Sequence, residues 1–294
     1  MTFVRLIAST LWIGAALSID AVAAEPAATA LAAPSPAVTP AVVGEIALAP
    51  DLQLLRIGDG AYVVRHSCPF LCNSVLVEMP DGTFVFGGTP GFPEATRLVL
   101  DWIVREHGPR PVVAIDTGYH FDNLGGNAAF LAAGFPVYGS DLTVRLLAER
   151  GEQTRALTLG FLADTDSPYR AAHAALKFVP PDHVFPIEQG LTLRFGGEEV
   201  RVIHPGPTQA PDKVAIYFPG RRLLYGSCML LAGERPGNVA EADLVRWPEG
   251  IRRLLPLPVD AAVAAHGPRL DPGLLQHTID VLVRQQAAAQ PASD

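Results

Sequence analysis

From Leu52 onward short, largely apolar strand-like runs alternate with stretches of helical hydrophobic spacing. Apolar residues cluster at 52–57 and 61–66 on either side of Gly58-Asp59-Gly60, which predicts a β-hairpin. Residues 73–79 and 83–86 flank Pro80-Asp81-Gly82 and predict a second one. Across 94–106, Leu98, Leu100, Trp102, Ile103 and Val104 recur at helical spacing. A short apolar strand at 111–115 precedes helices at 126–133 and 142–150. Strands are expected at 191–195, 200–204, 214–218 and 222–225. A helix at 242–254, a strand at 261–265 and a closing helix at 272–286 complete the pattern. Two runs of strands, each followed by helices, predict two similar halves packed together. The class is α/β or α+β, with sheets inside and helices outside.

The start of the chain follows another pattern. Residues 1–24 pass from Met1-Thr2-Phe3-Val4-Arg5, through an apolar stretch at 6–17, to Ala21-Val22-Ala23-Ala24. A basic start, an apolar core and small closing residues are the marks of a secretory signal peptide, cleaved after Ala23 or Ala24. The stretch is shorter than the about 20 apolar residues that span a bilayer. A periplasmic protein with no membrane segment after cleavage is therefore expected. Residues 25–45 form an Ala/Pro-rich linker with too little apolar surface to offset its ordering entropy. Residues 46–294 remain for one large domain.

Composition narrows the function classes. Of 294 residues, 49% are apolar and 18% charged, which excludes a disordered chain. Three Cys are too few for a disulfide-built miniprotein. A net charge of −8 argues against nucleic acid as a partner, because such binders need clustered positive charge. A small-molecule substrate and a monomeric state are expected.

Four segments at strand ends carry polar groups that a plain core does not need. Asp116-Thr117-Gly118-Tyr119-His120-Phe121-Asp122 places His120 and Asp122 two apart, before Gly125-Gly126. In an extended segment those two side chains point the same way. His204-Pro205-Gly206-Pro207-Thr208-Gln209 is a rigid polar loop. Gly226-Ser227-Cys228 and Ala265-His266-Gly267 close two further apolar strands. Read singly, each is compatible with a turn, a buried thiol or a hydrogen-bonded His. Together, carboxylate, thiolate and imidazole form a sound ligand set for zinc.

In the order of these segments, from about Leu52 to Gln285, the chain resembles the metallo-β-lactamase superfamily. Gly226-Ser227-Cys228, Pro236-Gly237-Asn238-Val239-Ala240-Glu241-Ala242, His266-Gly267 and Leu274-Leu275-Gln276-His277-Thr278 resemble the class B β-lactamases that use a Cys ligand. The resemblance implies a four-layer αββα sandwich with its metal site at one edge between the sheets. It also implies two zinc sites, one of three His and one of Asp, Cys and His. The second is complete here as Asp122, Cys228 and His266. Of the first only His120 remains, because Gly118 and Gln209 stand at the other two His positions. His204 and His66 are the candidates to compensate. Leu231 stands where these enzymes commonly carry a Lys for the drug's carboxylate, whereas Asn238, which helps polarise the β-lactam carbonyl, is present.

The implied cofactor is therefore zinc, one ion rather than two. A site of Asp, thiolate and His has zero formal net charge, so its water is less acidic than at a three-His site and needs a general base. His120, free of metal, or Asp122 would fill that role. Two readings follow. One is a hydrolase of an amide or ester bond, β-lactam-like, with His120, Asp122 and Asn238 as catalytic residues. The other is a non-catalytic relative that keeps the fold and the zinc. Cys68 and Cys72 lie near where the family carries a flap, and a disulfide between them is expected, with Cys228 unpaired.

Overall fold

The computed structural model describes residues 42–67, 70–163 and 169–289. The signal segment, most of the linker and Cys68 lie outside the described residues. In chain order the strands are β1 (Gly44–Ala49), β2 (Leu52–Gly58), β3 (Ala61–Ser67), β4 (Leu71–Glu78) and β5 (Phe84–Gly87). Helix α1 (Pro93–His107), β6 (Val112–Ile115), α2 (Phe121–Leu124), α3 (Asn127–Ala132) and β7 (Val137–Ser140) follow. Next come α4 (Asp141–Phe161), α5 (Tyr169–Ala175), β8 (His183–Phe185), β9 (Leu191–Phe195) and β10 (Glu198–Ile203). The chain closes with β11 (Ala215–Phe218), β12 (Leu223–Ser227), α6 (Trp247–Arg252), β13 (Ala261–Ala264) and α7 (Leu274–Ala289).

Strands β1 to β8 lie side by side in chain order in one sheet, and β9 to β13 form a second. The first sheet is antiparallel from β1 to β5 and parallel from β5 to β8. The second is antiparallel except for the parallel pair β12 and β13.

The two-residue period explains the layering. Along β3 and β4, Val63, Val75 and Val77 enter the core shared by both sheets, together with Val202, Ile216, Tyr225 and Val263 from the second sheet. The intervening Tyr62, Val64 and Leu76 face the other way and pack with Val99, Trp102 and Ile103 of α1 and Phe130 of α3. On the second sheet, Tyr217, Leu224 and Ala262 pack outward with Trp247 and Ile251 of α6 and Leu275, Ile279 and Leu282 of α7. The result is helix, sheet, sheet, helix, as expected. Burial on both faces explains why these strands read as near-continuous apolar runs.

Several boundaries differ from the sequence expectation. Gly44 and Glu45, read as the end of the linker, already pair with Arg56 and Leu55. Helix α4 runs to Phe161 rather than ending at 150, carried by buried Thr154 and Thr158. Only Trp247–Arg252 is helical within 242–254, because Pro248 lacks an N–H and sits in the first turn. Strands β1, β7 and β8 and helices α2 and α5 were not foreseen.

Candidate metal centre and cavity

Three loops at one edge of the sandwich converge. Asp122 comes from the helical turn α2, Cys228 follows β12, and His266 follows β13. The Asp122 Oδ2 and His266 Nε2 atoms lie 3.0 Å apart. Cys228 Sγ is 3.4 Å from Asp122 Oδ2 and 3.8 Å from His266 Nε2. The His266 Nδ1 lies 2.9 Å from the Leu71 carbonyl and donates to it, which turns Nε2 toward the carboxylate and the thiol. Burial alone would raise the Asp122 carboxyl, but His266 holds it well below the usual carboxylate range. Burial opposes the imidazolium, yet hydrogen bonds to Asp122 and Cys228 raise His266 well above 6.5.

A buried polar network fixes this geometry. Asn123 Nδ2 donates to Asp122 Oδ1 at 2.6 Å and reaches Cys228 Sγ at 3.5 Å. The Asn123 Oδ1 accepts from Thr117 Oγ1 at 2.6 Å and Ser227 Oγ at 2.7 Å. Ser227 holds a left-handed φ of 50°, a backbone strain of order 1 kcal/mol that the network sustains beside the thiol.

The expectation that His120 and Asp122 project from an extended segment is corrected. Asp122 lies in the first turn of α2 and His120 caps it, yet both side chains still line the same cavity. Gly125 and Gly126 serve close packing rather than a special backbone angle. A Cβ on Gly125 would lie 2.1 Å from the Gly91 carbonyl, and one on Gly126 2.2 Å from Thr96 Oγ1.

His120 is held by a partner that the sequence did not reveal. Its Nε2 lies 2.9 Å from Glu241 Oε2, and Arg150 Nη1 lies 3.3 Å from Glu241 Oε1. Burial would raise the Glu241 carboxyl, but the hydrogen bond with His120 pulls it down to about 2. His66 and His204 do not compensate for lost ligands. His66 lies beside Asp51, and His204 bonds the Pro211 carbonyl.

The space beside Gly118, where the resemblance would put a His, is filled. A Cβ added at Gly118 would lie 2.7 Å from Lys213 Nζ and 2.9 Å from its Cδ. Lys213 is fully buried, and its Nζ has no hydrogen-bond partner among the described residues. The Lys213 side chain therefore fills the space that a side chain at position 118 would need. Gln209 Nε2 donates to the Asn238 carbonyl at 3.1 Å, while its buried Oε1 has no hydrogen-bond partner among the described residues.

These groups open into a cavity of about 670 Å³, within the range of small-molecule sites. His120, Asp122, Gln209, Cys228, Asn238 and His266 line one side. Phe70, Phe121, Leu157, Phe161, Leu230 and Leu231 supply the apolar walls, with Arg235 as the guanidinium in the lining. The Phe70 ring stands edge-on to His266 at 5.4 Å. Cys72 carries a free, buried thiol. Its Sγ groups with ligand atoms of Asp122 and His266, all within 4.8 Å of one another. The expected Cys68–Cys72 bridge involves a residue outside the described ones, and the recorded state of Cys72 is the free thiol.

Comparison with known proteins places this arrangement. The profile of the Metallo-beta-lactamase superfamily matches residues 69–267. The chain belongs to the metallo-β-lactamase superfamily. It is 23% identical over 246 residues to the metallo-beta-lactamase type 2 of Elizabethkingia meningoseptica, covering 81% of this chain and 87% of that one. A metallo-beta-lactamase structure from Pontibacter korlensis superposes with a TM-score of 0.65 at 28% identity, covering 80% of this chain and all of that one. An Erythrobacter litoralis metallo-beta-lactamase shares the fold, with a TM-score of 0.65, at 19% identity and over 82% of this chain. Superfamily members usually bind zinc, and Cys72, Asp122 and His266 form a candidate group for a metal, with Cys228 in contact with two of them. Among the described residues no helix is long and apolar enough to cross a membrane.

Proposed function

We propose that this protein is a periplasmic, zinc-dependent hydrolase of the Cys-ligand β-lactamase type, acting on an amide or ester bond of a small molecule. The observation that carries the reading is the convergence of Asp122, Cys228 and His266 on one side of the cavity. Their carboxylate, thiol and imidazole suit zinc, and the His266–Leu71 and Asp122–Asn123 hydrogen bonds supply the outer support that metal ligands need. Lys213, in the space of a first-site ligand, favours one ion over two.

Zinc held there supplies Lewis acidity toward the scissile carbonyl or leaving nitrogen. The chain's own residues do the rest. His120 accepts the proton of the attacking water, and the Glu241 carboxylate orients the ring and stabilises the imidazolium that forms. The Asn238 Oδ1 is engaged by the Ala240 N–H at 3.0 Å, so its amide NH2 is the group left to donate to a carbonyl oxygen. The apolar walls exclude water and take the substrate body. Leu231 offers no charge to a substrate carboxylate, and Arg235 is the cation available instead.

A non-catalytic zinc protein is the second reading, favoured by Gly118, Gln209 and Leu231 at positions where catalytic members use other side chains. A zinc titration followed by a nitrocefin, carbapenem and lactone screen separates the two. Turnover of any class at one equivalent of zinc supports the hydrolase. One bound zinc with no turnover across the screen overturns it.

A further inference from the structure

We infer that Cys72 is a fourth protein ligand of the metal, so that the centre is an Asp122, Cys228, His266 and Cys72 set. The inference rests on the proposal that metal binds at the first three of these residues. Cys72 lies on β4, outside the three loops that supply them, and its Sγ forms one compact group with Asp122 and His266. Asp122 and His266 are in turn in contact with Cys228. Asp122 and His266 are thus shared between two thiols, Cys72 in the compact group and Cys228 in direct contact with both.

The backbone on both sides of Cys72 is clamped to the site. Leu71 O accepts from His266 Nδ1 at 2.9 Å. The Asn73 N–H donates to Ala265 O at 2.7 Å. Asn73 Nδ2 donates to Ala264 O at 3.0 Å and Gly267 O at 2.8 Å. Tyr225 OH closes the clamp by donating to Asn73 O at 2.7 Å. Hydrogen bonds on both sides of Cys72 thus tie the start of its strand to the loop that carries His266. A thiol held in this way stays within reach of an ion bound by His266.

The donor chemistry has a direct consequence. Two thiolates, one carboxylate and one neutral imidazole give a divalent ion a formal net charge of −1. Four protein ligands also satisfy tetrahedral zinc, so the resting centre would be closed, and a substrate would reach the ion only as one ligand gives way. Two soft sulfur donors also raise the preference for zinc, cobalt or cadmium over oxygen-seeking ions.

The test is cobalt substitution of the full chain under reducing conditions, read by sulfur-to-cobalt charge-transfer absorption rather than by turnover. Wild type should show the intensity of two Co–S bonds. Cys72→Ser and Cys228→Ser should each lose about half of it, and the double variant all of it. Zinc K-edge X-ray absorption on the unaltered protein reads the same quantity without a variant. It should show two sulfur scatterers at about 2.3 Å. One sulfur scatterer, with full charge-transfer intensity kept in Cys72→Ser, overturns this inference and leaves the three-ligand reading standing. No cobalt or zinc bound overturns both.

Discussion

Adding one methyl group at Gly118 tests whether Lys213 has taken the place of a metal ligand. In Gly118→Ala the new carbon would stand 2.7 Å from Lys213 Nζ, 2.9 Å from Cδ and 3.1 Å from Cε. Ordinary carbon contacts are about 3.5–4.0 Å, so the overlap approaches 1 Å along half the side chain. Lys213 is fully buried and cannot swing into solvent. Overpacking of this kind costs about 1–3 kcal/mol. For a domain of this size each kcal/mol lowers Tm by roughly 2–4 °C. Lys213→Ala removes the obstructing atoms, so the methyl should then be tolerated better. The assay is a double-mutant cycle by urea unfolding of Gly118→Ala, Lys213→Ala and the pair. A coupling energy of about 1–3 kcal/mol is expected, with the pair more stable than the sum of the singles predicts. Equal cost of Gly118→Ala in both backgrounds would refute the contact.

The same geometry predicts that Gly118→His with Gln209→His fails to bind a second zinc while Lys213 remains, and gains one when Lys213→Asn is added; elemental analysis counts the ions. Asn123→Ala should weaken zinc binding by roughly 10- to 100-fold, read by chelator competition, because it removes the donor to Asp122 and Cys228; unchanged affinity would show the network to be irrelevant to the metal. Glu241→Gln should lower kcat by roughly 100-fold on any substrate found, with little change in KM and an altered pH profile; a pure KM effect would remove His120 and Glu241 from the proton path. His173 is fully buried, and burial, aided by Arg155, lowers it from 6.5 to about 4. Its contribution is complete above pH 6.5 and is lost as pH falls toward 4, up to about 3 kcal/mol. His173→Leu should flatten that acid limb in pH-dependent unfolding, and an unchanged slope would contradict the assignment.

The fold was legible where the hydrophobic period was clean. Strands β2 to β5 alternate between two buried faces, and the β2–β3 and β4–β5 hairpins each carry a Gly turn. Strand β1 was hidden because Gly44 and Glu45 continue an Ala/Pro-rich stretch, and only pairing with β2 makes them a strand. Helix α6 was overread because residues 242–246 are helical in composition, while Asp243 instead closes a turn by accepting from the Arg246 N–H. The convergence of Asp122, Cys228 and His266 followed from the family resemblance rather than from any local pattern. Glu241 and Lys213 were missed for a common reason. Each acts across more than 90 residues of chain, Glu241 on His120 and Lys213 on Gly118, and such partners leave no local spacing. A weak signal did exist for Lys213, one of two Lys in the chain, directly before an apolar strand. Cys72 was read through its spacing from Cys68, which favoured a bridge. Its neighbours in space are His266 and Asp122, which only the packing of β4 on β13 reveals.

Native mass spectrometry of the zinc-loaded chain counts the ions held by Asp122, Cys228 and His266. One retained ion, lost in His266→Ala and kept in His204→Ala, is the expected result. Two ions, or one ion that survives His266→Ala, would contradict it.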